Sequence, residues 1–132
     1  MKLVLTNGCF DGLHAGHVEL FKYAKSLGDK LIVFVNDDIS IKSLKGDKRP
    51  FFNQHHRLNV IESIRYVDHA FIFDGDVTNI ITEYNPDIYV KGGDYKSIDD
   101  LIECDFLRSK RINVKFAPKI DNLSSSCLIN NF

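Results

Sequence analysis

Two histidines three residues apart, His14 and His17, close a glycine-rich stretch that runs Thr6-Asn7-Gly8-Cys9-Phe10-Asp11-Gly12-Leu13-His14-Ala15-Gly16-His17. The apolar run Leu3-Val4-Leu5 precedes it and an amphipathic run from Val18 to Leu27 follows, so the histidines stand where a strand hands over to a helix. A helix N-terminus presents unpaired backbone N–H groups and partial positive charge, which suits a phosphate. Two imidazoles aimed at one point add donors for charge that builds up during a reaction. Gly8, Gly12 and Gly16 let the backbone come close to a ligand. The chemistry this suggests is nucleotide handling, with both histidines on phosphate oxygens. Ordinary surface or capping histidines are the bland alternative. A zinc site is disfavoured on ligand count, since Cys9 and Asp11 are the only local candidates to join the pair.

The elements that must position these residues alternate along the chain. Strands are expected at Lys2–Thr6, Lys30–Asn36, Ala70–Phe73, Ile88–Val90 and Asn113–Ala117. Helices are expected at Val18–Leu27, stopped by Gly28, at Gln54–Arg65, around Val77–Tyr84 before Pro86, and near Ile98–Leu107. A short terminal helix over Ser124–Asn131 has Ser124 as its cap. The segment from Asp37 to Gln54, with Lys42, Lys45, Lys48 and Arg49, reads as a polar, mobile loop. This β-α-β-α rhythm specifies an α/β fold: one Rossmann-like domain over residues 1–132, with a five-stranded parallel sheet and helices on both faces. Ligands in such folds bind at the carboxyl edge of the sheet, where the loops after the strands gather. Lys91-Gly92-Gly93-Asp94 follows a strand and reaches that edge. Its glycines suit close backbone approach, and Asp94 is placed to accept from a sugar hydroxyl or to hold magnesium; a plain turn is the alternative. Ser124, Ser125 and Ser126 offer hydroxyls and N–H groups to phosphate, or simple helix capping.

Composition bounds the partners. The 132 residues are 44% hydrophobic with a formal net charge of −1, which suits one globular domain and disfavours a nucleic-acid or polybasic membrane-surface protein. No apolar run is long enough to span a bilayer, and the N-terminus lacks a signal-peptide profile. Cys9, Cys104 and Cys127 are odd in number and scattered, so free thiols in a reducing cytoplasm are expected.

Gly8-Cys9-Phe10-Asp11-Gly12-Leu13-His14-Ala15-Gly16-His17 resembles the G-x-F-D-x-x-H-x-G-H signature of the cytidylyltransferase-like nucleotidyltransferases, and Leu123-Ser124-Ser125-Ser126 resembles their late Ser-Thr-Thr motif. Within that family the chain is most similar to the adenylyltransferase domain of bacterial ADP-heptose synthesis. Thr6–Asp11, Val35–Asp38, Leu44–Pro50 and Val90–Tyr95 carry the likeness. Glycerol-3-phosphate cytidylyltransferases are a near second, through the histidine motif and Arg65-Tyr66-Val67-Asp68.

The resemblance implies that a phosphorylated sugar or polyol attacks the α-phosphorus of ATP or CTP and releases pyrophosphate. Positioning and charge stabilisation dominate such transfers. It further implies catalytic roles for His14, His17 and Lys45, with Lys45 swinging onto the phosphates. Nucleotide or phosphate contacts are implied for Gly8, Cys9, Phe10, Gly16, Arg57, Gly92, Asp94, Ser124, Ser125 and Ser126, and acceptor contacts for Asp11 and Lys91. A surface ion pair is the plain alternative for Arg57. Mg2+ is implied through the triphosphate, with Asp94 as a candidate ligand, together with a homodimer and a separate kinase that supplies the 1-phosphate.

Three features depart from the family pattern. Lys119 is the nearest basic residue before Ser124 where relatives carry an arginine, Asn122 replaces a glycine, and Gly12 stands where a larger apolar residue is common. A lysine does not reproduce bidentate phosphate contacts. Outside sugar activation, two further readings remain: a nucleotide-binding module without catalysis, and a metal-dependent hydrolase, for which the ligand set is thin.

Overall fold

In the computed structural model, residues 1–92, 101 and 103–118 are described. The chain alternates β1 (Leu3–Gly8), α1 (Ala15–Ser26), β2 (Lys30–Asn36), α2 (Asp38–Lys45), α3 (Gln54–Glu62), β3 (His69–Phe73), α4 (Val77–Tyr84), β4 (Ile88–Lys91), α5 (Cys104–Ser109) and β5 (Asn113–Phe116). The five strands form one sheet in the order β3-β2-β1-β4-β5, and every pair is parallel. Strand order reverses between β1 and β4, so the loop that follows β1 opens at the switch point.

The apolar runs are continuous because both faces of the sheet are covered. Val4, Val33, Val35 and Val90 face Phe21 and Ala24 of α1 and Ile61 of α3. Their strand neighbours Leu5, Ile32, Phe34 and Tyr89 face the opposite way, onto Ile80 and Ile81 of α4 and Leu107 of α5. The two-residue period of a strand thus divides each run between two cores.

Three expectations are corrected. Asp37 to Gln54 is not all loop, since α2 occupies Asp38–Lys45. Asp37 caps it by accepting from the Ser40 N–H at 2.8 Å. Ile41 is its one buried residue while Ile39 and Leu44 are exposed, so the segment lacks the apolar stripe that announces a helix. Helix α1 begins at Ala15, three residues earlier than the apolar pattern suggests, because His14 caps it. Helix α3 ends at Glu62 with Ser63 as its cap, short of Arg65. The helix expected near Ile98 is described from Cys104, and the one expected over Ser124–Asn131 lies outside the described residues.

Gly28 has a steric reason beyond stopping α1. A Cβ there would lie 2.7 Å from Val4 Cγ2 and 3.0 Å from the Lys2 carbonyl oxygen. Gly28→Ala is therefore expected to push β1 away from the end of α1 and to cost about 1–3 kcal/mol, as overpacking does. Urea denaturation of the variant checks this through a lowered midpoint at unchanged slope.

Candidate active site

The chain leaves β1 at Gly8 and turns sharply. Phe10 takes a left-handed backbone conformation (φ 51°), and its ring folds back beneath Gly8. A Cβ on Gly8 would meet Phe10 Cζ at 2.8 Å, so the strand end must be glycine for the ring to fit. Phe10 is 7% exposed and packs on Phe21 (centroids 5.2 Å apart) and edge-on to His17 (5.5 Å). Its ring therefore supports His17 from below and belongs to the core, which leaves the backbone of Phe10 for the expected nucleotide contact.

The two histidines cap α1 between them. His14 Nδ1 accepts from the Gly16 N–H at 3.0 Å, and His17 Nδ1 accepts from the His14 N–H at 3.3 Å. This is a capping box in which both side-chain partners are imidazoles. An Nδ1 that accepts from the backbone leaves the ring proton on Nε2. Each histidine therefore carries one N–H donor, on the nitrogen facing away from the cap. The rings lie 3.9 Å apart at 31°. Burial, then His14, then Lys45 push the His17 pKa down from 6.5 to about 4, and burial lowers that of His14 as well. Both rings are accordingly neutral at physiological pH and can sit side by side without mutual charge repulsion.

Lys45 ends α2, exposed to solvent, and acts electrostatically on both His17 and Cys9. The Cys9 thiol is raised above its ordinary pKa by burial, against the opposing pull of Lys45, Arg57 and Arg49. It is held as a neutral thiol among cations.

Arg57 and Asp11 have different tasks from those expected. Arg57 is 1% exposed. Its guanidinium donates to Phe52 O (2.8 Å), Cys9 O (2.8 Å), Asn36 O (2.6 Å) and Asp38 Oδ1 (2.8 Å). It joins the histidine loop, the end of β2, the start of α2 and the approach to α3, so it braces the site where a phosphate contact was expected. Asp11 is 4% exposed and accepts from the Phe51 N–H (2.8 Å) and the Phe52 N–H (2.9 Å), with Arg49 Nε 3.4 Å from Oδ2. Its carboxylate is engaged within the protein, where an acceptor contact was expected.

Lys91, at the end of β4, is partly buried, and burial lowers its pKa against the pull of Glu103 and Cys9. Its Nζ lies 5.8 Å from the Tyr89 ring centroid, and the Tyr89 hydroxyl bonds Asn7 Oδ1 across the switch point. A Cβ on Gly92 would meet nothing within 4 Å. The Gly16 amide serves the cap. Asp94, Ser124, Ser125 and Ser126 lie outside the described residues. Among the described residues, no group of three or more His, Cys, Asp or Glu gathers as a metal site. Two residues with evident roles were not singled out from sequence, Asp38 and Arg49; each lies within a segment that carries the family likeness.

The stretch around this site is matched by a family profile described as Cytidylyltransferase-like, which spans residues 5–131. The chain belongs to the cytidylyltransferase-like family. It is a nucleotidyltransferase-type enzyme domain. It is 45% identical over 129 residues to the bifunctional protein HldE of Marinomonas sp. (strain MWYL1), covering 97% of this chain and 27% of that protein. It is 46% identical over 112 residues to the protein of the same name from Campylobacter concisus (strain 13826), covering 84% of this chain and 24% of that one. The chain thus spans about a quarter of the length of these relatives. A lipopolysaccharide core biosynthesis protein from Thermoplasma volcanium GSS1 superposes with a TM-score of 0.78 at 31% identity, covering 92% of this chain and 99% of that chain. Pantothenate synthetase from Thermus thermophilus, at TM-score 0.69 and 14% identity over 96% of this chain and 60% of that chain, shares the fold. No helix among the described residues is long and apolar enough to cross a membrane.

The depressed His17 pKa has a consequence for stability. Unfolded histidine takes up its proton near pH 6.5, whereas folded His17 resists protonation until about pH 4. Between those values the unfolded state binds more protons, so folding stability falls as pH drops through that window. His17→Gln, which does not titrate, is expected to flatten that part of the curve. Urea midpoints measured from pH 7 to pH 4 on both proteins check it.

Proposed function

We propose that this domain transfers AMP from ATP to a sugar phosphate, with heptose 1-phosphate as the acceptor. The product is a nucleotide-activated sugar for surface glycan assembly. An acceptor phosphate oxygen attacks the α-phosphorus in line. As that P–O bond forms, the bond to the β-phosphate bridging oxygen breaks and pyrophosphate leaves. The observation that carries this reading is the pair of neutral Nε2–H donors at the N-terminus of α1. Donors already fixed in position stabilise the spreading phosphoryl charge without reorganising. Lys45, exposed at the end of α2, supplies mobile positive charge to the triphosphate. We further assign contacts with the acceptor and the nucleoside to Lys91 and the stretch from Gly92 to Asp94, and contacts with the phosphates to Ser124–Ser126.

The choice of acceptor rests on the four segments that resemble ADP-heptose adenylyltransferases. Similarity to proteins named HldE and to a lipopolysaccharide core biosynthesis protein supports it. Mg2+ neutralises charge on the triphosphate when bound. With Asp11 engaged by amides, Asp94 is the protein ligand we propose for it, the other contacts being to phosphate oxygens. We place the reaction in the cytoplasm, where nucleoside triphosphates are plentiful, and propose a homodimer.

Pyrophosphate release with ATP or CTP against heptose 1-phosphate or glycerol 3-phosphate tests the reading. Turnover with ATP and heptose 1-phosphate is expected. Preference for CTP and glycerol 3-phosphate would favour the polyol reading. Nucleotide binding without turnover in any pairing would favour a non-catalytic module. His14→Ala and His17→Ala are each expected to lower kcat on the order of 100-fold with a smaller effect on triphosphate affinity.

A further inference from the structure

Arg49 and Arg57 both approach the histidine loop, but they are held in different ways. Arg57 commits its guanidinium to four protein oxygens. Arg49 has a side chain only 15% exposed, yet no described residue accepts a well-formed hydrogen bond from it. Its buried Nε lies 3.4 Å from Asp11 Oδ2 without hydrogen-bond geometry. Its guanidinium carbon lies 4.6 Å from the centroid of the Phe51 ring. Phe51 is in turn tied by its N–H to the same Asp11 oxygen, at 2.8 Å. The guanidinium is thus oriented by a ring and a carboxylate, and among the described residues none accepts a hydrogen bond from its terminal N–H groups. The Asp11 charge opposes an incoming anion less than a free carboxylate would, because two amides and Arg49 already share it.

Position assigns this cation a partner. Lys45 acts on both His17 and Cys9, whereas Arg49 lies beside Asp11, with its Nε 3.4 Å from Oδ2, and does not figure among the groups that act on His17. Arg49 therefore belongs to the Asp11 side of the loop, while Lys45 reaches the histidine side as well. An in-line displacement needs positive charge at both the leaving and the attacking end. A guanidinium fork matches two non-bridging phosphate oxygens.

We propose that Arg49 binds the phosphate of the acceptor sugar, on the Asp11 side of the histidine loop. This rests on the transfer reaction proposed above.

Steady-state kinetics of Arg49→Ala and Arg49→Lys with ATP and heptose 1-phosphate test it. Loss of a charge-assisted pair predicts at least about a tenfold rise in acceptor KM for Arg49→Ala, with ATP KM changed less than about twofold. Arg49→Lys keeps the charge and loses the fork, so an intermediate rise is expected. An unchanged acceptor KM, or an ATP KM that rises in step, overturns the assignment. Circular dichroism melts confirm folding, and Arg49→Lys carries the test if Arg49→Ala unfolds. Calorimetric titration of inorganic phosphate into protein saturated with a non-hydrolysable ATP analogue reads the same site without turnover. Binding by the parent protein that weakens about tenfold in Arg49→Ala supports the anchor. Equal binding by both, or none by the parent protein, overturns it. If no acceptor yields pyrophosphate while phosphate binding still depends on Arg49, the transfer reading fails and the anion site stands.

Discussion

Two backbone N–H groups, those of His14 and Gly16, donate to imidazole Nδ1 atoms, and the geometry of the site depends on this. The first turn of a helix has amides with no partner inside the helix, and an oxygen side chain commonly supplies one. Here nitrogen acceptors do so. That choice fixes a tautomer as well as satisfying the helix end, because a ring that accepts at Nδ1 must carry its proton at Nε2. One set of contacts thus starts α1 and leaves two N–H donors on rings 3.9 Å apart. Protonation would place a hydrogen where the backbone donor already points, and burial adds to that resistance. Neutrality and orientation have a common cause.

The rest of the site is built to keep that cap in place. Phe10, turned back under Gly8, provides the surface on which His17 rests. Arg57 links the Cys9 carbonyl to the end of β2 and to Asp38 at the start of α2, so the helix carrying Lys45 is tied to the histidine loop. Asp11 holds the amides of Phe51 and Phe52 against the same loop from the other side. Breaking one partner of such a buried network leaves the other charged group without compensation, which is costly. Arg57 and Asp11 each hold together segments that are distant along the chain.

The strands were legible as continuous apolar runs, and the helices α1, α3 and α4 because their apolar residues recur at helical spacing over several positions. α2 was not, since one buried residue, Ile41, makes no period. The histidine pair was legible through its glycine context and its place between strand and helix. The tasks of Arg57 and Asp11 were not. A buried arginine and an exposed one look alike in sequence, and the Phe51 amide that engages Asp11 is forty residues away along the chain. Arg49 was passed over among neighbouring lysines for the same reason, because what distinguishes it is the Phe51 ring and the Asp11 carboxylate beside it.

Nitrogen-15 NMR reads the two imidazole tautomers without intermediaries, because protonated and unprotonated ring nitrogens have well-separated shifts. His14 and His17 are both expected to show a bare Nδ1 and a protonated Nε2 at neutral pH, with His17 unchanged until the pH approaches about 4. An Nδ1–H tautomer at either position, or a His17 that titrates like free histidine near pH 6.5, would contradict it.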